Sequence, residues 1–337
     1  MVNLKLSKFD MSGIKDDSVI VFIGRRNTGK SFLVKDCLYH HRDMPIGTII
    51  SGTEKESGYY GKFNPSLFIH YEYTPDLVAN VNKRQSIVID EQKKEIKNRI
   101  PYEFDWKDRM KDGARNSDII YEVQRKDCWI GRQEYQMSQD KIRDVKDERN
   151  NEYMVSWKVE NVPANVDARS FCLLDDCLYD ASWTKDTNIR SFFLNGRHKD
   201  LFFIITMQYV MGIPPLLRTN IDYVFILREP YVQNRRRIFE NFAGVFPTFD
   251  AFCQVMDQCT ENYECLVIHT NSKSNKLEDQ VFWYKAEQHD DFRIGAEEYW
   301  NYHNEHFSEG GPNTTNEEDI VSASNKKKGP KIHVKRV

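Results

Sequence analysis

Residues 24–31 read GRRNTGKS, which sets Gly24, Gly29, Lys30 and Ser31 in the pattern G-x-x-x-x-G-K-S/T. That spacing suits the phosphates of a nucleotide. The glycines let backbone N–H groups turn inward toward anionic oxygens, and a following helix aims its positive end at the same place. Lys30 is expected to bridge the β- and γ-phosphates of ATP and the Ser31 hydroxyl to ligate Mg2+, with Arg25, Arg26, Asn27 and Thr28 completing the loop. Hydrolysis also needs a carboxylate at the tip of a second buried strand, and FCLLDD (171–176) supplies two. Asp175 is expected to hold the metal through its water shell, and Asp176 to orient or deprotonate the attacking water. The next strand ends IITMQY (204–209), where Gln208, with Thr206 behind it, is the candidate to sense the γ-phosphate or position water.

These residues need strands and helices to hold them. Nearly continuous apolar runs at 18–24, 46–52, 170–176, 201–208 and 222–228 read as strands covered on both faces. Helical patterns lie between them at about 30–41, 75–99, 186–196 and 231–242. The alternation predicts an α/β fold with a mainly parallel sheet flanked by helices. Residues 100–168 break the rhythm. They are charge-dense and read as an insertion, partly structured where DIIYEV and YMVSWKV pair as an antiparallel hairpin. ECLVIHT and QVFWYKA, separated by a polar segment, predict a C-terminal β-hairpin, and residues 307–337 have the composition of a disordered basic tail. The domain reading is therefore one ATPase domain over 1–306, interrupted by the insertion, then the tail.

Composition narrows the class further. The net charge is −3, yet residues 326–337 carry six Lys or Arg and no acid, leaving −9 on the rest (−3 less the tail's +6). A basic arm on an acidic body suits phosphates or acidic partners. Seven cysteines, at 37, 128, 172, 177, 253, 259 and 265, form no CxxC pair and read as reduced thiols of a cytosolic compartment. MVNLKLSKFD lacks the apolar core of a signal peptide, and no segment reads as membrane-spanning, so no membrane insertion is expected. A GTPase is excluded on motif grounds. The N-K-x-D specificity loop appears only as NKLE (275–278), with Glu278 in place of Asp, and DDCL lacks the glycine of D-x-x-G. A small-molecule kinase would need an acceptor site and an arginine-bearing lid.

CLLDDCLYD, FFLNGRHKDLFFIITMQY and GIPPLLRTNIDYVFILRE, with SGTEKES after the second strand, together resemble the poxvirus-type genome-packaging ATPases of nucleocytoplasmic large DNA viruses, within the FtsK–HerA superfamily. The resemblance covers about residues 17–90 and 168–270, and the insertion departs from the family's compact spacing. It implies a RecA-like P-loop NTPase of the additional-strand type. Such a protein assembles as a ring with itself, translocates double-stranded DNA without sequence preference, and works at a viral capsid or portal. That places it in the host cytoplasm at the viral assembly site, with association with the virion. The resemblance also implies an arginine acting in trans on the γ-phosphate, for which Arg197 in NGRH and Arg218 in PPLLRTN are the candidates. An FtsK/HerA-like translocase of segregation or recombination would share this core and differ in partners. DNA contacts are expected from the insertion, from QNRRRIF (233–239) and from the tail.

Overall fold

The computed structural model describes residues 5–99, 166–178, 181–210 and 213–307, together with the backbone of three strands inside the insertion. Residues 307–337 of the expected tail lie, from 308 onward, outside the described residues, as do its proposed DNA contacts.

The strands that carry the chemistry are β1 (Val19–Ile23), β2 (Ile46–Ser51), β3 (Ile69–His70), β7 (Ser170–Asp175), β8 (Leu201–Met207) and β9 (Tyr223–Ile226). With β10 (Glu264–His269) and β11 (Val281–Lys285) they form one eight-stranded sheet in the order β11-β10-β9-β1-β8-β7-β2-β3. The six strands from β9 to β3 are parallel, and β10 and β11 pair antiparallel as the expected terminal hairpin. β8 stands between the phosphate-loop strand β1 and the carboxylate strand β7, which is the additional strand that the family resemblance implies.

Parallel strands need crossover helices, and these supply both flanking layers. On one face α1 (Lys30–His40) buries Leu33, Val34, Cys37 and Leu38 against Ile20, Phe22, Leu173 and Ile204. On the other, α2 (Pro75–Arg99), α3 (Thr187–Asn195), α4 (Val232–Phe242) and α5 (Phe249–Cys259) cover Val21, Leu174, Phe203 and Ile205 with Val78, Phe192, Ile238 and Phe252. Each central strand thus buries odd and even positions alike, which is why the runs are apolar without alternation. Caps mark the helix starts. Asp186 accepts hydrogen bonds from Asn188 and Ile189 N–H at 2.7 and 3.4 Å, and Thr248 accepts one from Ala251 N–H at 3.2 Å. A last helix, α6 (Glu297–His306), follows β11. The β11 edge is covered by the N-terminal segment, where Phe9 N–H donates to Trp283 O at 2.9 Å and Trp283 N–H to Ser7 O at 3.2 Å.

In the insertion, β4 (Ile119–Arg125) and β6 (Tyr153–Val159) pair antiparallel, with Ile119 opposite Val159, as the sequence predicts. They are not a simple hairpin, because β5 (Cys128–Gln133) comes between them in sequence and pairs with the other edge of β4. The sequence reading also passed over α5, α6 and the two-residue β3.

Candidate active site

A single row of the sheet builds the centre. Register pairs Ser51 with Asp175 and Asp175 with Thr206 across β2, β7 and β8, at the C-terminal tips of parallel strands. The three side chains bond along that row. Ser51 Oγ donates to Asp175 Oδ2 at 3.1 Å, and Thr206 Oγ1 donates to Asp175 Oδ1 at 2.7 Å. Asp175 is buried, so both hydroxyls hold a carboxylate that solvent does not reach.

Asp176 follows directly, and in a continued strand it would point to the opposite face. Its φ of +46° instead puts it in the left-handed region, which is strained for a residue with a side chain. The kink is held by Asp176 N–H donating to Thr206 Oγ1 at 3.0 Å. It leaves the Asp176 carboxylate facing Gln208, whose Nε2 donates to Oδ2 at 2.9 Å, and Lys30, whose ammonium is bonded to Oδ1. The Thr206 hydroxyl therefore touches the side chain of one aspartate and the backbone of the other.

The loop between β1 and α1 presents Lys30. Gly24 N–H donates to Met207 O at 2.9 Å, tying the loop's start to the tip of β8. A Cβ at Gly24 would lie 2.8 Å from Thr28 Oγ1 and 2.9 Å from Leu227 Cδ1, so no larger residue fits without a shift. Gly29 caps α1 with a φ of +93°, a value open to glycine, and Asn27 is also left-handed at +63°. Thr28 Oγ1 closes the turn on Arg25 O at 2.8 Å, and the Arg25 guanidinium lies 4.7 Å over the Tyr231 ring. Ser31 follows in the first turn of α1, where Tyr59 Oη donates to its carbonyl at 3.3 Å.

Two tyrosines and a glutamate, the last within SGTEKES but given no role there, complete the wall. Glu54 is buried and accepts from Tyr60 N–H at 3.0 Å and Gly61 N–H at 2.8 Å, fixing the segment after β2. Burial, with the Asp175 charge added, pushes the Tyr59 phenol up to about 12 and holds Tyr60 well above its ordinary value. The Tyr60 hydroxyl is buried beside Asp175 and finds no hydrogen-bond partner of normal geometry among the described residues. An orphaned buried hydroxyl next to a buried carboxylate is the setting that an ordered water or a hydrated cation completes. The donor set fits Mg2+ with a nucleotide: oxygen ligands from Ser31 and Asp175, and an ammonium at Lys30. Beside Asp176 a cleft of about 310 Å³ opens between Arg26, Leu178, Trp183, Gln208 and Tyr209.

The two arginine candidates lie elsewhere. Arg197 bonds to Asp222, whose other oxygen accepts from Val19 N–H at 2.8 Å. Val19 opens β1 and the phosphate loop closes it, so Arg197 stands at the opposite end of the sheet from its own chain's Lys30. Arg218 does not take Asp222, the partner its position suggests; it bonds Asn241 Oδ1 at 2.7 Å and Asn241 O at 3.2 Å. The cations of α4 are also engaged: Arg235 pairs with Asp257 at 2.6 Å, Arg236 lies 4.3 Å over Phe249, and Arg237 lies 4.8 Å over Tyr209.

Strand order, phosphate loop and carboxylate tip define an additional-strand P-loop protein. No protein-family profile matches the chain. Protein L437 of Acanthamoeba polyphaga mimivirus, uncharacterized, is 30% identical over 305 residues, covering 90% of this chain and 84% of its own. Proteins 088R of Invertebrate iridescent virus 3 and 015R of Frog virus 3, also uncharacterized, are 29% and 27% identical and cover 90% and 89% of this chain, and 89% and 70% of their own. The chain belongs to this family of large-DNA-virus proteins. Among solved structures, the genome packaging NTPase B204 of Sulfolobus turreted icosahedral virus 2 with AMPPCP matches 82% of this chain and 100% of its own, at 13% identity and a TM-score of 0.44. The pCW3 conjugation coupling protein TcpA with ATPγS matches 90% and 70%, at 12% identity and a TM-score of 0.40.

Proposed function

We propose that the protein hydrolyses ATP with Mg2+ and uses the energy to move double-stranded DNA into a viral capsid, acting as a ring of its own copies. The observation that carries the hydrolytic reading is the convergence of Lys30 and Gln208 on Asp176, one residue from an Asp175 held by Ser51 and Thr206. Mg2+ with ATP supplies the phosphoanhydride to be cleaved and the cation that shields its charge. Ser31 and Asp175 are the metal-side ligands, and Gly24, Arg25, Arg26, Asn27, Thr28, Gly29 and Lys30 are the phosphate cradle. Lys30 has two anions to choose between, Asp176 and phosphate. Its transfer to phosphate frees Asp176 Oδ1 to take a proton from water, while Gln208 keeps Oδ2 in place.

The packaging reading rests on the quoted family motifs and on relatives that are proteins of large DNA viruses. Work at the host-cytoplasmic assembly site, contact with a capsid or portal component, and association with the virion belong to that reading. Within the ring, Arg197 is the first candidate to reach a neighbour's γ-phosphate and Arg218 the second. Both lie at the end of the sheet away from their own loop, where a head-to-tail ring would present them to the next subunit. No helix among the described residues is long and apolar enough to cross a membrane.

The test is the steady-state ATPase rate of the purified protein with and without long double-stranded DNA, across salt. Strong stimulation that fades as salt rises is expected, since contacts to the DNA backbone weaken with counterion concentration. A rate indifferent to DNA at every salt concentration contradicts translocation.

A further inference from the structure

The Asp36 side chain is wholly buried on α1, six residues beyond Lys30 and about 9 Å along the helix axis from it. It plays no part in the phosphate site. A buried carboxylate needs compensation, yet its ion-pair partners among the described residues are two imidazoles, His40 and His289, and no Lys or Arg. The two carboxylate oxygens have divided roles. Oδ2 accepts from Tyr284 Oη at 2.7 Å and from Glu287 N–H at 3.2 Å. Oδ1 faces His289 Nε2 at 2.5 Å and His40 Nε2 at 3.6 Å.

We propose that Asp36, His40 and His289 form a zinc site that ties the segment after β11 to the phosphate-loop helix. The geometry carries this in three ways. First, tetrahedral Zn2+ with bonds of about 2.0–2.1 Å sets its ligand atoms about 3.3 Å apart. The Oδ1–Nε2 distances of 2.5 and 3.6 Å bracket that edge, and all three ligand atoms lie within 4.8 Å of one another. Second, the carboxylate and one imidazole are held in place by their surroundings. One carboxylate oxygen is anchored by Tyr284 and the Glu287 amide while the other faces the two imidazoles, and His289 is held in orientation by Tyr39, stacked at 3.7 Å and 7° and braced by Phe292. Third, Asp36 is fully buried while His40 and His289 keep 22% and 12% of their side chains exposed, so a fourth position is open to water. Two imidazoles and one carboxylate favour Zn2+ over Mg2+ or Ca2+, which select all-oxygen sets. His40 and Asp36 sit one helical turn apart on α1 and His289 lies about 250 residues on, so the ion would bridge parts of the chain distant in sequence.

The test uses tag-free full-length protein, stripped with a chelator, dialysed against micromolar ZnCl2 and then against buffer. Metal content and Tm are measured, neither of which depends on ATPase activity. About one zinc per chain is expected, with a Tm about 5 °C above that of the stripped protein. His289→Ala and the milder His40→Gln should lose the zinc and the Tm response while keeping the circular dichroism of the stripped wild type. Trace metal in the wild type with an unmoved Tm overturns the proposal and leaves Asp36–His289 a plain hydrogen-bonded pair. Equal zinc in wild type and both variants also overturns it, because the ion then binds elsewhere. If a variant fails to fold, the wild-type arm decides alone.

Discussion

The two ends of the sheet each hold a carboxylate beside a cation, Asp222 buried and Asp176 half-buried, and they are built to opposite ends. Asp222, at the N-terminal end, has Val19 N–H on one oxygen, and Arg197 with Asn271 Nδ2, at 2.5 Å, on the other. Its partners include a backbone amide of the central strand, which cannot leave without breaking β1. Asp176, at the C-terminal end, is held by the side chains of Lys30, Gln208 and Thr206, the last at 3.4 Å, and borders an open cleft. Both are acids with a cation beside them. The first is a finished joint, and the second is a set of partners free to exchange.

The sharpest way to break this contrast is to alter the exchangeable end. Asp176→Asn should lower turnover by about 10²–10⁴, the usual worth of a positioned general base, while nucleotide binding persists. Lys30→Ala should lose nucleotide binding as well as turnover, by about 10²–10³ or more. Binding is read by titration with a fluorescent ATP analogue and turnover by phosphate release. Equal loss of binding in both variants would end the division of roles between them. Thr206→Val keeps the shape of β8 and removes the hydroxyl that holds Asp175 Oδ1 and the Asp176 amide. As a positioning change it should cost about 10–100-fold in kcat, and because it strands the buried Asp175 Oδ1 and the Asp176 amide it should also cost about 1–3 kcal/mol of stability. A variant with normal kcat would reduce Thr206 to a packing residue.

How much of this was legible without coordinates follows the same divide. Strands and crossover helices were readable because each strand is covered on both faces and so reads as an unbroken apolar run, as in LFFIITM. The loop was readable because its chemistry is local: four fixed positions in eight consecutive residues. Thr206, secondary to Gln208 in the sequence, holds the centre of the site, and Ser51, which opens SGTEKES, carries no role there. Their importance lies in register, which sets residues 51, 175 and 206 side by side, and no spacing along the chain encodes that. Tyr60 and Glu54 escaped for a similar reason, as the turns after β2 carry no period. α5 did carry a signal, Thr248 followed by Phe249, Phe252 and Met256 on one face, and was overlooked. α6 buries only Tyr299, so its polar sequence hid it.

The finished end should respond in stability rather than turnover. Asp222→Ala leaves the buried Val19 N–H without its acceptor, at a cost of about 1–3 kcal/mol, while the exposed Asn271 amide can turn to water. Thermal unfolding should show it as a Tm lower by roughly 5 °C, with the per-subunit ATPase of the folded fraction intact. A large loss of turnover at unchanged Tm would mean that this end of the sheet also takes part in chemistry.

Arg197 is where the two ends would meet, because it is anchored at the finished end and proposed to serve a neighbour's exchangeable one. Its side chain is 55% exposed, so its pairing with Asp222 is screened by water and should contribute under about 1 kcal/mol to folding. Arg197→Ala is therefore expected to shift Tm little. If the guanidinium acts across a ring interface, the variant should still lose most turnover, and mixing it with Asp176→Asn should restore part of it. The reason is geometric: in a mixed ring some interfaces pair an intact Asp176 on one subunit with an intact Arg197 on the next. The recovered rate should pass through a maximum at intermediate mixing ratios, measured by phosphate release on co-assembled protein. A flat line at every ratio, from proteins shown to co-assemble, would confine Arg197 to its joint with Asp222 and move the trans role to Arg218. Its two bonds to Asn241 would then have to open to release it.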